Sequence, residues 1–183
     1  LREFLIAASR QSRSEMRSSM KIGILAVQGA FAEHEQMLEQ LGAEYIELRK
    51  GEDVRQSYDG LILPGGESTV QGKLMRELDM FDTIQSQIKN GMPVLATCAG
   101  AILLAQQLSN DAATHLATLP AVVRRNAYGR QLGSFSVDEQ IEGIGTFPMR
   151  FIRAPYIEKV LDDTKVLAKV DGNIVMVENK NQL

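Results

Sequence analysis

Residues 21–49, KIGILAVQGAFAEHEQMLEQLGAEYIELR, decide the fold. The run "KIGILAVQ" is short, rich in β-formers and ends at Gly29. In "FAEHEQMLEQLG", Phe31, Met37, Leu38 and Leu41 fall near helical spacing, and Gly42 is a C-cap signal. "AEYIELR" reads as a second strand. The alternation then continues. "YDGLILPGG" is an apolar strand closed by Pro64, Gly65 and Gly66. "STVQGKLMRELDMFDTIQSQIKNG" reads as one or two helices, with Ser68 or Thr69 as the N-cap. "PVLAT" reads as a strand and "AILLAQQL" as a helix. Strands alternating with helices imply an α/β fold with a parallel sheet covered on both faces. Beyond residue 110 the texture changes. "AVVRRN", "LGSFSVD", "FPMRFIRAP", "KVLAKV" and "NIVMVEN" are short strand-like runs, and "VDGNI" carries an Asp-Gly hairpin signal. The expectation is a three-layer domain whose mixed sheet has a parallel core and antiparallel additions.

Composition narrows the function. The 183 residues fit one domain that buries roughly 70% of its unfolded surface. A net charge of -3 argues against a nucleic-acid partner, which needs clustered basic residues. The single cysteine rules out an internal disulfide and a cysteine-built zinc site, and it fits a reducing, cytoplasmic setting. No apolar run approaches the ~18 residues of a membrane span. Residues 1–19 carry Arg2, Arg10, Arg13 and Arg17 among serines and read as a leader or appended extension, with the domain over 20–183.

Three glycine-bearing loops leave the carboxyl ends of the parallel strands, where open α/β sheets bind ligands. They are "VQGAF", "LPGGES" and "TCAGA". None is a phosphate loop of the G-x-x-x-x-G-K-[ST] or G-x-G-x-x-G type. Cys98 lies in the third, between a strand and a helix. A lone cysteine is more often a small buried hydrophobe than a catalyst. A strand-to-helix turn, however, presents its side chain at the top of the sheet as a nucleophile elbow does. The helix N-terminus is expected to lower its pKa. The Ala99 N–H can face a developing oxyanion, and the Gly65–Gly66 turn can supply a second donor. A thiol nucleophile usually works with a histidine base. His34 lies in the first helix and His115 in a probable loop, "DAATHLATLP", and an exposed or capping role is the simpler reading of each.

"KIGILAVQGAFAEH", "DGLILPGGEST", "PVLATCAG", "VVRRNAYGRQLGSF" and "FIRAP" resemble, in order, the glutaminase subunits of pyridoxal 5′-phosphate synthase. These are class I, triad-type glutamine amidotransferases with a flavodoxin-like sheet. The resemblance runs from Met20 to the chain end. It implies hydrolysis of L-glutamine to glutamate and ammonia through a Cys98 thioester, with no cofactor and no metal. It implies a hetero-oligomer in which a dodecamer of synthase subunits carries twelve glutaminases, activates them and receives the ammonia. By motif position, Gly66 and Ala99 supply oxyanion N–H groups. Gly66, Glu67, Ser68, Arg125, Ile152 and Arg153 match the glutamine-binding positions. An arginine suits the substrate carboxylate because it can pair with it through two parallel hydrogen bonds.

The pattern also departs from that family. Its catalytic His and Glu belong to a late Phe-His-Pro-Glu segment, which the 183 residues do not contain. Neither His34 nor His115 inherits that role. The segment is expected just past Leu183, the alternatives being a truncated chain or a noncatalytic copy that docks on the synthase, and the 183 residues alone are expected to be impaired. Ala96 stands where relatives usually have Gly, and Arg124 where an acidic residue is common. A glutaminase of another pathway, such as histidine biosynthesis, shares the elbow but not "RNAYGRQ" with "FIRAP".

Overall fold

A computed structural model describes residues 20–126, 134–151 and 154–183. The leader and both Ile152 and Arg153 therefore lie outside the described residues. The described chain falls into two compact units. One runs to Ala101 and includes Gln182; the other runs from Ile102 to Asn181 with Leu183.

The first unit is built on β1 (Lys21–Leu25), β2 (Glu44–Leu48), β3 (Gly60–Leu63) and β4 (Val94–Ala96). They form one parallel sheet in the order β2-β1-β3-β4. Parallel strands are covered on both faces, so their sequences are continuous apolar runs rather than alternating ones. Accordingly all four residues of β3 are buried, and so are the last four of β1. The helices are α1 (Phe31–Gln40), α2 (Gly51–Val54), α3 (Ser68–Glu77) and α4 (Phe81–Lys89). Leu38 of α1 closes a core with Ile22, Ile24 and Ile62, flanked by Phe31, Tyr45 and Leu95. The expected one or two helices after residue 68 are two, separated where Asp79 takes a φ of 57°. The short α2 has no counterpart in the sequence reading.

The strand order reverses between β1 and β3. That switch point opens a crevice beyond their carboxyl ends, where the first two glycine-bearing loops emerge. The fold therefore brings "VQGAF" beside "LPGGES" before any side chain is considered.

Two local expectations are corrected. Ser68 and Thr69 do not cap α3. Glu67 occupies the N-cap with extended φ and ψ and makes no side-chain capping bond, while Ser68 is already helical. The loop backbone is held from outside instead, because Gln28 takes the Glu67 N–H. Nor is "AILLAQQL" a helix throughout. The helix α5 covers Ala99–Leu104 and gives way to strand β5, Ala105–Leu108. Ile102, Leu103, Leu104 and Ala105 are all buried, so the run has no polar face to fix its period. What ends the helix is tertiary: Leu103 O accepts the Leu116 N–H, and β5 pairs in parallel with β6 (Leu119–Arg124).

The second unit holds a mixed sheet in the order β10-β11-β9-β6-β5, with β9 Tyr156–Val160, β10 Lys165–Val170 and β11 Asn173–Glu178. The sheet is antiparallel apart from β5–β6. The Asp-Gly signal is a two-residue hairpin turn: Val170 pairs with Asn173, and Asp171 and Gly172 have φ of 48° and 82°. A separate ribbon joins β7 (Phe135–Ile141) to β8 (Gly145–Phe151), with the rings of Phe135 and Phe151 stacked at 4.8 Å. The antiparallel strands thus form sheets of their own, not hydrogen-bonded into the four-stranded parallel one.

Candidate active site

Cys98 sits between β4 and α5 with a φ of 50°. That left-handed conformation costs about 1 kcal/mol or more outside glycine and is retained where the surroundings impose it. Here they do. The Thr97 N–H donates to Leu63 O at 3.0 Å, and the Gly100 N–H donates to Thr97 O at 2.8 Å. Only glycine fits position 100, because a Cβ there would lie 2.2 Å from Leu63 O. The elbow read from "TCAGA" is therefore present, and it is tight.

The backbone N–H groups of Gly66 and Ala99 both reach the Cys98 thiol. Their effect on the pKa is outweighed. Burial pushes the Cys98 thiol above its ordinary value, the two N–H groups pull it down, and the Glu67 carboxylate adds a smaller upward push. This corrects the expectation of a lowered pKa. A single turn of helix following the sulfur does not compensate for removing a thiolate from water.

The Gly66 loop is held by side chains from elsewhere in the unit. Glu67 N–H donates to Gln28 Oε1 at 2.8 Å. Gln71 Nε2 donates to Gln28 O at 2.9 Å and to Pro64 O at 3.3 Å. The Ala30 N–H donates to Gly65 O at 2.9 Å. Gly66 has a φ of 154°, and a Cβ on it would stand 2.6 Å from Gln28 Oε1. The three glycine-bearing loops thus converge, and a Cβ added to Gly65 would stand 3.5 Å from Cβ of Cys98. Gln28 and Gln71 were not singled out from the sequence. Each is an ordinary polar residue there, and only the crossing of β1 and β3 gives it two loops to join.

The remaining site residues divide. Glu67 is exposed beside the elbow, whereas Ser68 is 1% exposed and its Oγ has no hydrogen-bond partner. Arg125, in the second unit, directs its guanidinium to the Asp111 carboxylate at 2.6 Å, and Asn110 brackets its backbone. The Ala113 N–H and then Arg125 hold the Asp111 carboxyl below its usual range. Arg124 is exposed. His115 lies in a loop. His34 is half-buried in α1, and its Nε2 stands 3.5 Å from Thr97 Oγ1, so it is not the exposed or capping residue expected. Burial lowers its pKa below the ordinary histidine value, and Glu33 opposes that more weakly.

A strained cysteine elbow facing a second loop that offers a backbone N–H is the arrangement of a class I glutamine amidotransferase. A solved structure described as a glutamine amidotransferase superposes with a TM-score of 0.83 at 40% identity, over 88% of this chain and 86% of that one. The chain belongs to the SNO glutamine amidotransferase family, whose model matches residues 24–183. It is 63% identical over 164 residues to the pyridoxal 5′-phosphate synthase subunit PdxT of Desulfitobacterium hafniense, covering 90% of this chain and 82% of that relative. Its identity to the PdxT of Streptococcus pneumoniae is 53% over 167 residues, covering 90% and 86%. The PurLQS structure from Thermotoga maritima shares the fold alone, at TM-score 0.59 and 19% identity over 90% of this chain and 85% of that one.

Proposed function

We propose that this chain is the glutaminase subunit of a pyridoxal 5′-phosphate synthase, hydrolysing L-glutamine in the cytoplasm and passing ammonia to a synthase partner. The observation that carries the reading is the pair of N–H groups, from Gly66 and Ala99, directed at the one cysteine of the chain. The Cys98 sulfur attacks the side-chain carbonyl carbon of glutamine, and the proton the thiol gives up is the one carried to the departing nitrogen. The carbonyl oxygen takes up negative charge, which the two N–H donors beside the sulfur stabilise. Collapse of the tetrahedral intermediate breaks the C–N bond, and ammonia leaves with the proton it gains. Water then cleaves the thioester to glutamate and restores the thiol.

Because burial raises the Cys98 pKa, the thiolate is a minor species in the free subunit at neutral pH. Closing the site with substrate and partner is the step that favours its ionisation. Glu67, Ser68, Arg125, Ile152 and Arg153 are glutamine-binding positions in this reading, by their place in the motifs. The Asp111 carboxylate holds the Arg125 guanidinium until glutamine arrives. The assembly is a hetero-oligomer of twelve synthase and twelve glutaminase subunits.

The test is glutamate release by the chain mixed with its synthase subunit, together with labelling by a glutamine-analogue electrophile. The expected result is labelling at Cys98 alone, slow glutamate release from these 183 residues, which do not contain the Phe-His-Pro-Glu segment, and loss of both signals in Cys98→Ala. Release that survives Cys98→Ala would overturn the reading.

A further inference from the structure

We infer that His34 is a positioning residue: it braces Thr97, and through Thr97 the Cys98 elbow, from the N-terminal turn of α1, whose N-cap Ala30 braces Gly65. The inference rests on the glutaminase reading above. The Ala30 N–H, at the start of α1, donates to Gly65 O at 2.9 Å. Four residues later His34 Nε2 stands 3.5 Å from Thr97 Oγ1. The N-terminal end of α1, cap included, therefore touches both walls of the reaction site, the loop that offers the Gly66 N–H and the chain that carries the sulfur.

The Thr97 backbone is already fixed by Leu63 O on its N–H and by the Gly100 N–H on its carbonyl. Its hydroxyl is the handle that remains. A β-branched side chain has few χ1 options, so fixing Oγ1 fixes the residue that enters the strained turn. The half-buried imidazole stays neutral at neutral pH, because burial opposes its charge. A neutral ring carries one donor and one acceptor, and either suits a hydroxyl. Oxyanion donors act only within a narrow range of the reacting atom, so the helix turn that spaces the two walls controls the rate of the chemical step.

The experiment uses the full chain with its synthase subunit and compares His34→Leu, His34→Gln, Thr97→Val and the double variant His34→Leu/Thr97→Val. The glutamine amide reaches the Nε2 position; leucine fills similar space without a polar atom. In His34→Leu, kcat for glutamate release is expected to fall about tenfold while KM for glutamine changes by less than about twofold. Alkylation of Cys98 by iodoacetamide at neutral pH is expected to slow by a similar factor, since a displaced sulfur loses its N–H support. His34→Gln retains both rates. Thr97→Val reproduces the loss, and the double variant is no slower than either single variant. Unchanged rates in His34→Leu, or equal losses in the leucine and glutamine variants, overturn the inference. If His34→Leu does not fold, Thr97→Val against Thr97→Ser decides, with loss expected only in valine. A wild-type chain that neither releases glutamate nor is labelled at Cys98 by the glutamine-analogue electrophile sinks the glutaminase reading instead, and the alkylation series still judges the brace.

Discussion

The Glu67 N–H donates to Gln28 Oε1 across 2.8 Å, joining the loop after β3 to the loop after β1. Gln71 completes the tie from α3 by binding the Gln28 carbonyl. The Gly66 N–H, one residue before this bond, owes its direction to it. In Gln28→Leu the side chain keeps its approximate size but loses the acceptor. The Glu67 N–H is near the surface and can turn to water, so stability should fall by no more than about 1.5 kcal/mol. Activity should fall further, about tenfold in kcat, because the loop gains freedom where the Gly66 N–H, the proposed oxyanion donor, sits. Urea unfolding and steady-state glutamate release measure the two effects separately.

Gly100→Ala tests the tightness of the elbow. Its new Cβ would meet a backbone oxygen, Leu63 O, at 2.2 Å, and neither β3 nor α5 has a flexible side chain there to move aside. The expected cost is about 3 kcal/mol or more, in the range reserved for overpacking and forced backbone shifts. A midpoint of urea unfolding equal to that of the wild type would contradict the geometry.

His34 makes stability depend on pH. Its folded-state pKa lies below the ordinary 6.5, so at mildly acid pH the unfolded chain binds the proton more readily than the folded one. Stability therefore falls as pH drops through about 6.5 and levels off only below the folded pKa. His34→Gln removes this contribution. The Tm of the wild type should fall more than that of His34→Gln between neutral pH and mildly acid pH, and thermal melts across that interval measure the gap.

Much of the fold is legible in the sequence because its signals are local. The apolar runs of β1 and β3, Gly42 after α1 and the Asp171–Gly172 turn each declare themselves within a few residues. Cys98, the Ala99 N–H and the Gly65–Gly66 turn could be marked as a set because backbone donors depend on chain geometry around glycines and a sharp turn, and the family resemblance singled out Gly66. The short extent of α5 could not, since an all-buried run carries no period. Nor could Gln28, Gln71 or His34, whose partners lie 39, 43 and 63 residues away in sequence.

By itself, then, the sequence determined the alternating strands and helices, the elbow at Cys98 and the family to which its motifs point. Those depend on short-range chemistry: apolar patterning, turn residues and the absence of a side chain at glycine. Only the tertiary structure decided the state of the sulfur and the loops around it. Burial raises the Cys98 pKa against the pull of two N–H groups, and desolvation has no signature in a linear string. The parallel crossing of β1 and β3 likewise turns two plain glutamines and a helix-borne histidine into supports for the site.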